Sequence, residues 1–186
     1  PTTNVPGTTF KWRRKAVPGI SNPAATGMGP ISETFNDTTA NPVMVTYEFF
    51  SLSAGGCLQP DTFRVQVKVN PIPKLSSSTA QLMQCTGSPF TYTPASSITG
   101  TTISWTRAFV NGVSNSSSMG TGPINETLNN TGDTAVTVIY TFGLIANGCS
   151  NPVSPSLKLK INPIPQVTSS LSPPAICSGT AFSYIP

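Results

Sequence analysis

The sequence has 186 residues, of which only 9% are charged and 37% hydrophobic, with 19 Pro and 15 Gly. A coiled coil needs far more Glu, Lys, Leu and Ala, and a disordered tract lacks the aromatic and β-branched residues that recur here in short alternating runs. The net charge of +4 is not gathered into the basic stripe that nucleic acid requires, and no apolar run approaches the ~20 residues of a membrane helix, so neither partner is expected.

The first alternating run is Thr8 to Trp12. Val43, Val45, Tyr47 and Phe49 then alternate with Met44, Thr46 and Glu48, and Phe63, Val65, Val67 and Val69 alternate with Arg64, Gln66 and Lys68. A period of two reads as a strand with one buried face. Phe90-Thr91-Tyr92 is a shorter run, and Thr101 to Trp105 repeats the first. Val136, Val138, Tyr140 and Phe142 alternate with Thr137, Ile139 and Thr141, and Leu157, Leu159 and Ile161 alternate with Lys158 and Lys160. No segment carries a helical period with caps. Alternation turns Trp12 and Trp105 inward beside Phe10 and Ile103, as core anchors rather than as a platform for stacking sugars.

These runs belong to an internal repeat. Asn70-Pro71-Ile72-Pro73 returns as Asn162-Pro163-Ile164-Pro165, and the same shift carries Cys57 onto Cys149, Cys85 onto Cys177, Phe90 onto Phe182 and Tyr92 onto Tyr184. Upstream, a shift longer by one residue carries Trp12 onto Trp105, Arg14 onto Arg107, Gly29-Pro30-Ile31 onto Gly122-Pro123-Ile124, Glu33 onto Glu126 and Tyr47 onto Tyr140. A period of about 92 residues is a whole domain rather than a solenoid turn. The Pro-rich tetrapeptide, which fixes φ and ends a strand, is the natural boundary. The expected organisation is all-β: tandem immunoglobulin-like antiparallel sandwich modules. Residues 74–165 form a complete module, 1–73 a module lacking its first strands, and 166–186 the first strands of a third. The chain opens in mid-pattern and reads as an excerpt of a longer array.

Candidate chemistry is sparse. With no His and four Cys in two equivalent pairs, neither a metal site nor a nucleophilic Cys with its base is indicated. Six scattered acidic residues make a calcium site or a glycosidase pair a poor reading. Glu33 with Arg14, and Glu126 with Arg107, read as structural ion pairs or as caps of turns. No catalytic residue, cofactor or metal is expected, and the chain is not expected to be an enzyme. The cysteines read as disulfides of an oxidising exterior, with connectivity open. Either Cys85 joins Cys149 within a module, with the partners of Cys57 and Cys177 outside the chain, or Cys57 joins Cys85 and Cys149 joins Cys177 across modules.

The series Cys85, Gly87, Phe90, Tyr92, then Thr101-Thr102, Trp105, Arg107, then Gly122-Pro123-Ile124, Glu126-Thr127, Tyr140, Gly148-Cys149 and Asn162 to Pro165 resembles the PKD-like, immunoglobulin-fold repeats of giant Bacteroidetes surface proteins. It is most similar to the SprB-type gliding-motility adhesins exported by the type IX secretion system. The resemblance covers the whole chain. It implies a cell-surface location and a disulfide-stapled spacer in an adhesive filament. The implied partners are neighbouring repeats and a surface polysaccharide or other substratum. A glycan- or protein-binding module, or an accessory module of a secreted hydrolase, is the alternative. Family modules that occur singly carry both cysteines, which favours Cys85–Cys149; closing that loop would stabilise a module by about 4 kcal/mol in the chain-entropy model. Exported proteins of that phylum are O-glycosylated at Asp-Ser/Thr-apolar motifs. Asp133-Thr134-Ala135 matches, and Asp37-Thr38-Thr39 matches loosely, so Thr134 and Thr38 are candidate acceptors.

A module without its first strands exposes a sheet edge, and unpaired edges recruit strands. In a longer array the strands preceding Pro1 are expected to fill that gap; in the chain as it stands, residues 166–186 of one molecule are expected to insert into residues 1–73 of another, with Cys57 of one chain meeting Cys177 of the next.

Overall fold

The computed structural model describes residues 2, 4–59 and 61–185. The first alternating runs form β1 (Thr9–Arg14), β2 (Ala25–Met28), β3 (Val43–Leu52) and β4 (Phe63–Val69), one sheet in the order β2-β1-β3-β4. The second set is β5 (Leu82–Cys85), β6 (Pro89–Tyr92), β7 (Thr102–Arg107), β8 (Ser118–Thr121), β9 (Ile124–Thr127), β10 (Val136–Ala146), β11 (Cys149–Ser150) and β12 (Ser156–Asn162). Here the order is β5-β12-β10-β7-β8 with β11 on the end of β10, and β6 pairs β9 in a separate sheet. There is no helix among the described residues. All pairings are antiparallel except β5 with β12, which is parallel.

The large sheet and the β6–β9 pair face each other as the two layers of an immunoglobulin-like sandwich. Strand alternation fills the space between them. Val138, Tyr140, Phe142 and Leu144 of β10, Leu157, Leu159 and Ile161 of β12, and Ile103 and Trp105 of β7 pack with Phe90 of β6 and Ile124 of β9 in one core. The chain crosses between layers at Gly122-Pro123. Gly122 takes φ 72°, left-handed backbone that suits glycine, and donates its N–H to the Ile103 carbonyl at 2.9 Å. The Pro then ends the pairing of β8 and sends Ile124 into the opposite sheet. Gly29-Pro30 repeats this turn, with Gly29 at φ 73°.

Each Trp has a glycine opposite it: Trp12 pairs Gly27 and Trp105 pairs Gly120. A Cβ on Gly120 would lie 2.7 Å from Trp105 Cζ2, and one on Gly27 would lie 2.5 Å from Trp12 Cζ2. The indole thus lies flat on the backbone of the edge strand. Neither β2 nor β8 stands out in the sequence, because four residues with a glycine facing the ring show no hydrophobic alternation.

The two repeats differ along one strand. Alternation predicts a buried face for β4, yet Val65 and Val67 are 47% and 38% exposed, whereas their counterparts Leu157 and Leu159 in β12 are 0% and 1% exposed. The strand carries the apolar pattern, but no second layer covers it among the described residues. In the second repeat β5 pairs the edge of β12 and β6 supplies Phe90 to the core, and β4 has no such neighbour among the described residues. Residues 166–185, the counterpart of that covering segment, hold no strand and leave Phe182 and Ile185 exposed.

Candidate functional site: a buried ion-pair set and the joint between repeats

Trp105 and Tyr140 lie on adjacent strands and meet edge to face, centroids 5.8 Å apart at 71°. Beneath them β7 ends on Arg107, β9 carries Glu126, and the three polar groups converge. Arg107 donates Nε to Glu126 Oε2 at 2.9 Å and Nη2 to Oε1 at 3.0 Å, and Tyr140 donates its hydroxyl to Oε2 at 2.5 Å. Arg107 Nη2 also reaches the Ser116 carbonyl at 2.8 Å. This two-pronged clamp ties the large sheet to the small one through a charge pair, the geometry in which arginine and carboxylate bind best. Residues 1–73 repeat it: Arg14 Nε and Nη2 donate to Glu33 at 2.9 and 2.8 Å, and Tyr47 donates to the same carboxylate.

The electrostatics follow from the burial. For Glu126, burial alone raises the pKa, but the hydrogen bonds from Arg107 and Tyr140 and the Arg107 charge outweigh it and hold the carboxyl below its ordinary value. Arg107 is raised, chiefly by its bond to Glu126. The Tyr140 hydroxyl is raised by burial and then by the neighbouring carboxylate, and the same causes push Tyr47 up to about 12. A guanidinium locked on a carboxylate, beside a phenol held neutral, is a fastener. Acid–base catalysis would need a group poised near working pH.

The second site is the joint. Pro71 and Pro73 are fully buried. Asn70 donates Nδ2 to the Asn147 carbonyl at 3.0 Å, and its own carbonyl accepts from Cys149 Sγ at 3.8 Å. Asn147-Gly148 is the turn of the β10–β11 hairpin, with φ 50° and 79°, the left-handed pair that Asn-Gly favours. The tight hairpin projects at the end of the second sandwich and seats on the tetrapeptide leading into it. The sequence marks the Asn-Pro-Ile-Pro segment as stiff through proline alone; its docking onto the Asn-Gly turn is added by the structure. At the other end, Pro163, Ile164 and Pro165 with Thr131, Gly132 and Asp133 line an open cleft of ≈ 630 Å³.

The cysteines fall differently from expectation. All four are free thiols: Cys57, Cys85 and Cys177 exposed, Cys149 half-buried. The Cys85–Cys149 bond is not made, and the strand registers show why. Cys85 pairs Asn162 next to the Val136 end of β10, while Cys149 pairs Ala146 at the other end. At ~3.3 Å per residue β10 separates them by roughly 30 Å, against the ~7 Å Cα limit of a disulfide. The Cys57–Cys85 and Cys149–Cys177 alternatives are not formed either. Thr134 is exposed in the turn before β10. Thr38 is also exposed, with its hydroxyl donated to the Gly19 carbonyl at 3.0 Å.

A two-layer sandwich clamped by an Arg–Glu–Tyr set under a strand Trp defines an immunoglobulin-like module. Residues 1–73 match the family model of the PKD-like domain, and Trp12, Arg14, Glu33 and Tyr47 of that span recur in the second repeat as Trp105, Arg107, Glu126 and Tyr140. No curated protein matches the chain.

Proposed function

We propose that the chain is a length of extracellular PKD-like modules whose work is structural, as a spacer in an adhesive surface filament of the gliding-motility type, and that it catalyses nothing. The observation that carries this is the packed joint: two buried prolines and the Asn70–Asn147 bond seat one repeat on the next. The open cleft at Pro163–Pro165 is the place a following repeat would occupy. The partners of the spacer are thus its own neighbours, and a polysaccharide or other substratum is met elsewhere along the filament. Thr134, and less readily Thr38, are its proposed O-glycosylation sites, tested by an intact mass of material from the native host; a mass equal to the sequence mass refutes them.

Small-angle scattering tests the spacer. A rigid joint gives one sharply defined inter-module distance, unchanged by salt. Asn70→Ala with Pro71→Gly and Pro73→Gly should broaden it. A wild-type distribution as broad as that variant's overturns the reading. Binding to a glycan array by the wild-type chain, lost on changing an exposed side chain, would favour a recognition module instead.

A further inference from the structure

The cysteines are far apart within a repeat, yet the repeat brings two of them to one place. Cys149 lies on Asn70, the last residue before the prolines of the first joint. Cys85 is the register partner of Asn162, its β5 strand running parallel to β12 and ending there. Asn162 is the counterpart of Asn70. One cysteine therefore approaches the joint asparagine from the repeat that follows, and the other stands beside it in the repeat that precedes. In any array of these modules both are neighbours of the same residue.

We propose that Cys149 is half of a disulfide across the joint, and that its partner is the cysteine ending the β5-type strand of the preceding repeat, the position held by Cys85 and Cys177. The inference rests on the tandem reading above and adds a covalent bond to it. Neither arrangement expected from the sequence has this connectivity: it skips from the first strand of one module to the hairpin of the next. The bond forms when each Sγ gives up a proton, the two sulfurs join, and two electrons pass to a disulfide oxidant such as oxidised glutathione, whose own S–S bond breaks to two thiols.

The geometry also redirects the expected exchange between molecules. The occupant of the open β4 edge is residues 173–185 of a second copy. By the register of β5 on β12, Pro174 to Cys177 would lie along Val67 to Asn70, covering the exposed Val65 and Val67. Cys177 then meets Cys149. Cys57 follows the Leu52 end of β3, whereas Val43, at the opposite end, pairs Val69 next to Asn70; it is out of reach.

The test uses the full chain carrying Cys177→Ser, a synthetic peptide of residues 166–186 that supplies the only Cys177, and a glutathione redox buffer. Peptide mapping should find the peptide on Cys149 at least tenfold over Cys57 and Cys85, although Cys149 is the least exposed of these thiols. A scrambled peptide should lose the preference, and Val67→Lys, a change at an exposed position, should reduce the yield severalfold. Preference for Cys57, or equal labelling of all three, overturns the pairing. Hydrogen exchange on β4 separates the two levels. Protection without a bond to Cys149 defeats the disulfide alone, and no protection defeats the strand docking and the tandem reading with it.

Discussion

Removing Glu126 while leaving Arg107 should nearly unfold the second sandwich. The Arg107 side chain is 1% exposed, and without the carboxylate its one remaining acceptor among the described residues is the Ser116 carbonyl. Breaking a buried pair from one side costs about 3–5 kcal/mol, and the Tyr140 hydroxyl, left without its acceptor, adds about 1 kcal/mol or more. A small domain holds about 5–15 kcal/mol in all. At 4–8 °C per kcal/mol for a domain of this size, Glu126→Ala should lower Tm by roughly 15 °C or more. Replacing the set together, as Arg107→Met, Glu126→Leu and Tyr140→Phe, leaves no charge stranded and should come within about 2 kcal/mol of the parent. Urea unfolding in a Trp12→Phe background reads this directly, since Trp105, in the core of the second sandwich, is then the one tryptophan left. A Glu126→Ala cost under about 1 kcal/mol, or a triple variant as weak as the single one, would refute the account.

Four further outcomes follow from the same structure. Glu126 is depressed in the folded state, so its contribution is present above the ordinary Glu value near ~4.3 and is lost as pH falls through the lower folded value; Glu126→Gln should flatten the acid limb of stability against pH. Tyr47 is raised to about 12, so its contribution holds below the ordinary tyrosine value and is lost as pH rises toward 12, and the phenolate absorbance lost in Tyr47→Phe should be the late part of the titration. Gly120→Ala drives a Cβ to 2.7 Å from the Trp105 ring and should cost about 1–3 kcal/mol with a shifted Trp emission, whereas Gly122→Ala meets no atom within 4 Å, should cost about 1–2 kcal/mol through its backbone alone, and should leave the emission in place. Finally, Leu157→Thr should destabilise its module by about 2 kcal/mol or more, while Val65→Thr at the counterpart should change stability by under about 0.5 kcal/mol; equal costs would mean that β4 is covered in solution.

The long strands were readable because alternation over β3, β10 and β12 is a direct imprint of one buried face. The clamp was half readable. Arg107 and Glu126 recur with their counterparts as a pair, but Tyr140 joins them only because β10 aligns with β7 so that Tyr140 faces Arg107, which no local pattern announces. Short edge strands escaped notice, since β2 and β8 contribute a glycine to the core instead of a side chain. The thiols were misjudged for a different reason. Sequence spacing says nothing about which end of a strand a residue occupies, and here β10 carries Cys85 and Cys149 to opposite ends of the sandwich.

The parallel run of β5 along β12 decides how a module bears tension. In an array pulled end to end, β5 is drawn by its beginning and β12 by its end, so the ladder from Leu82–Leu159 to Cys85–Asn162 is loaded lengthwise. Its hydrogen bonds, with that from the Thr86 N–H to the Asn162 carbonyl at 2.9 Å, must fail together, whereas a hairpin opened from its end yields one bond at a time. The same strand that completes the core is thus the latch of the module. A repeat whose β4 edge goes unfilled has its apolar pattern but no latch, and it is where a stretched chain would give way first.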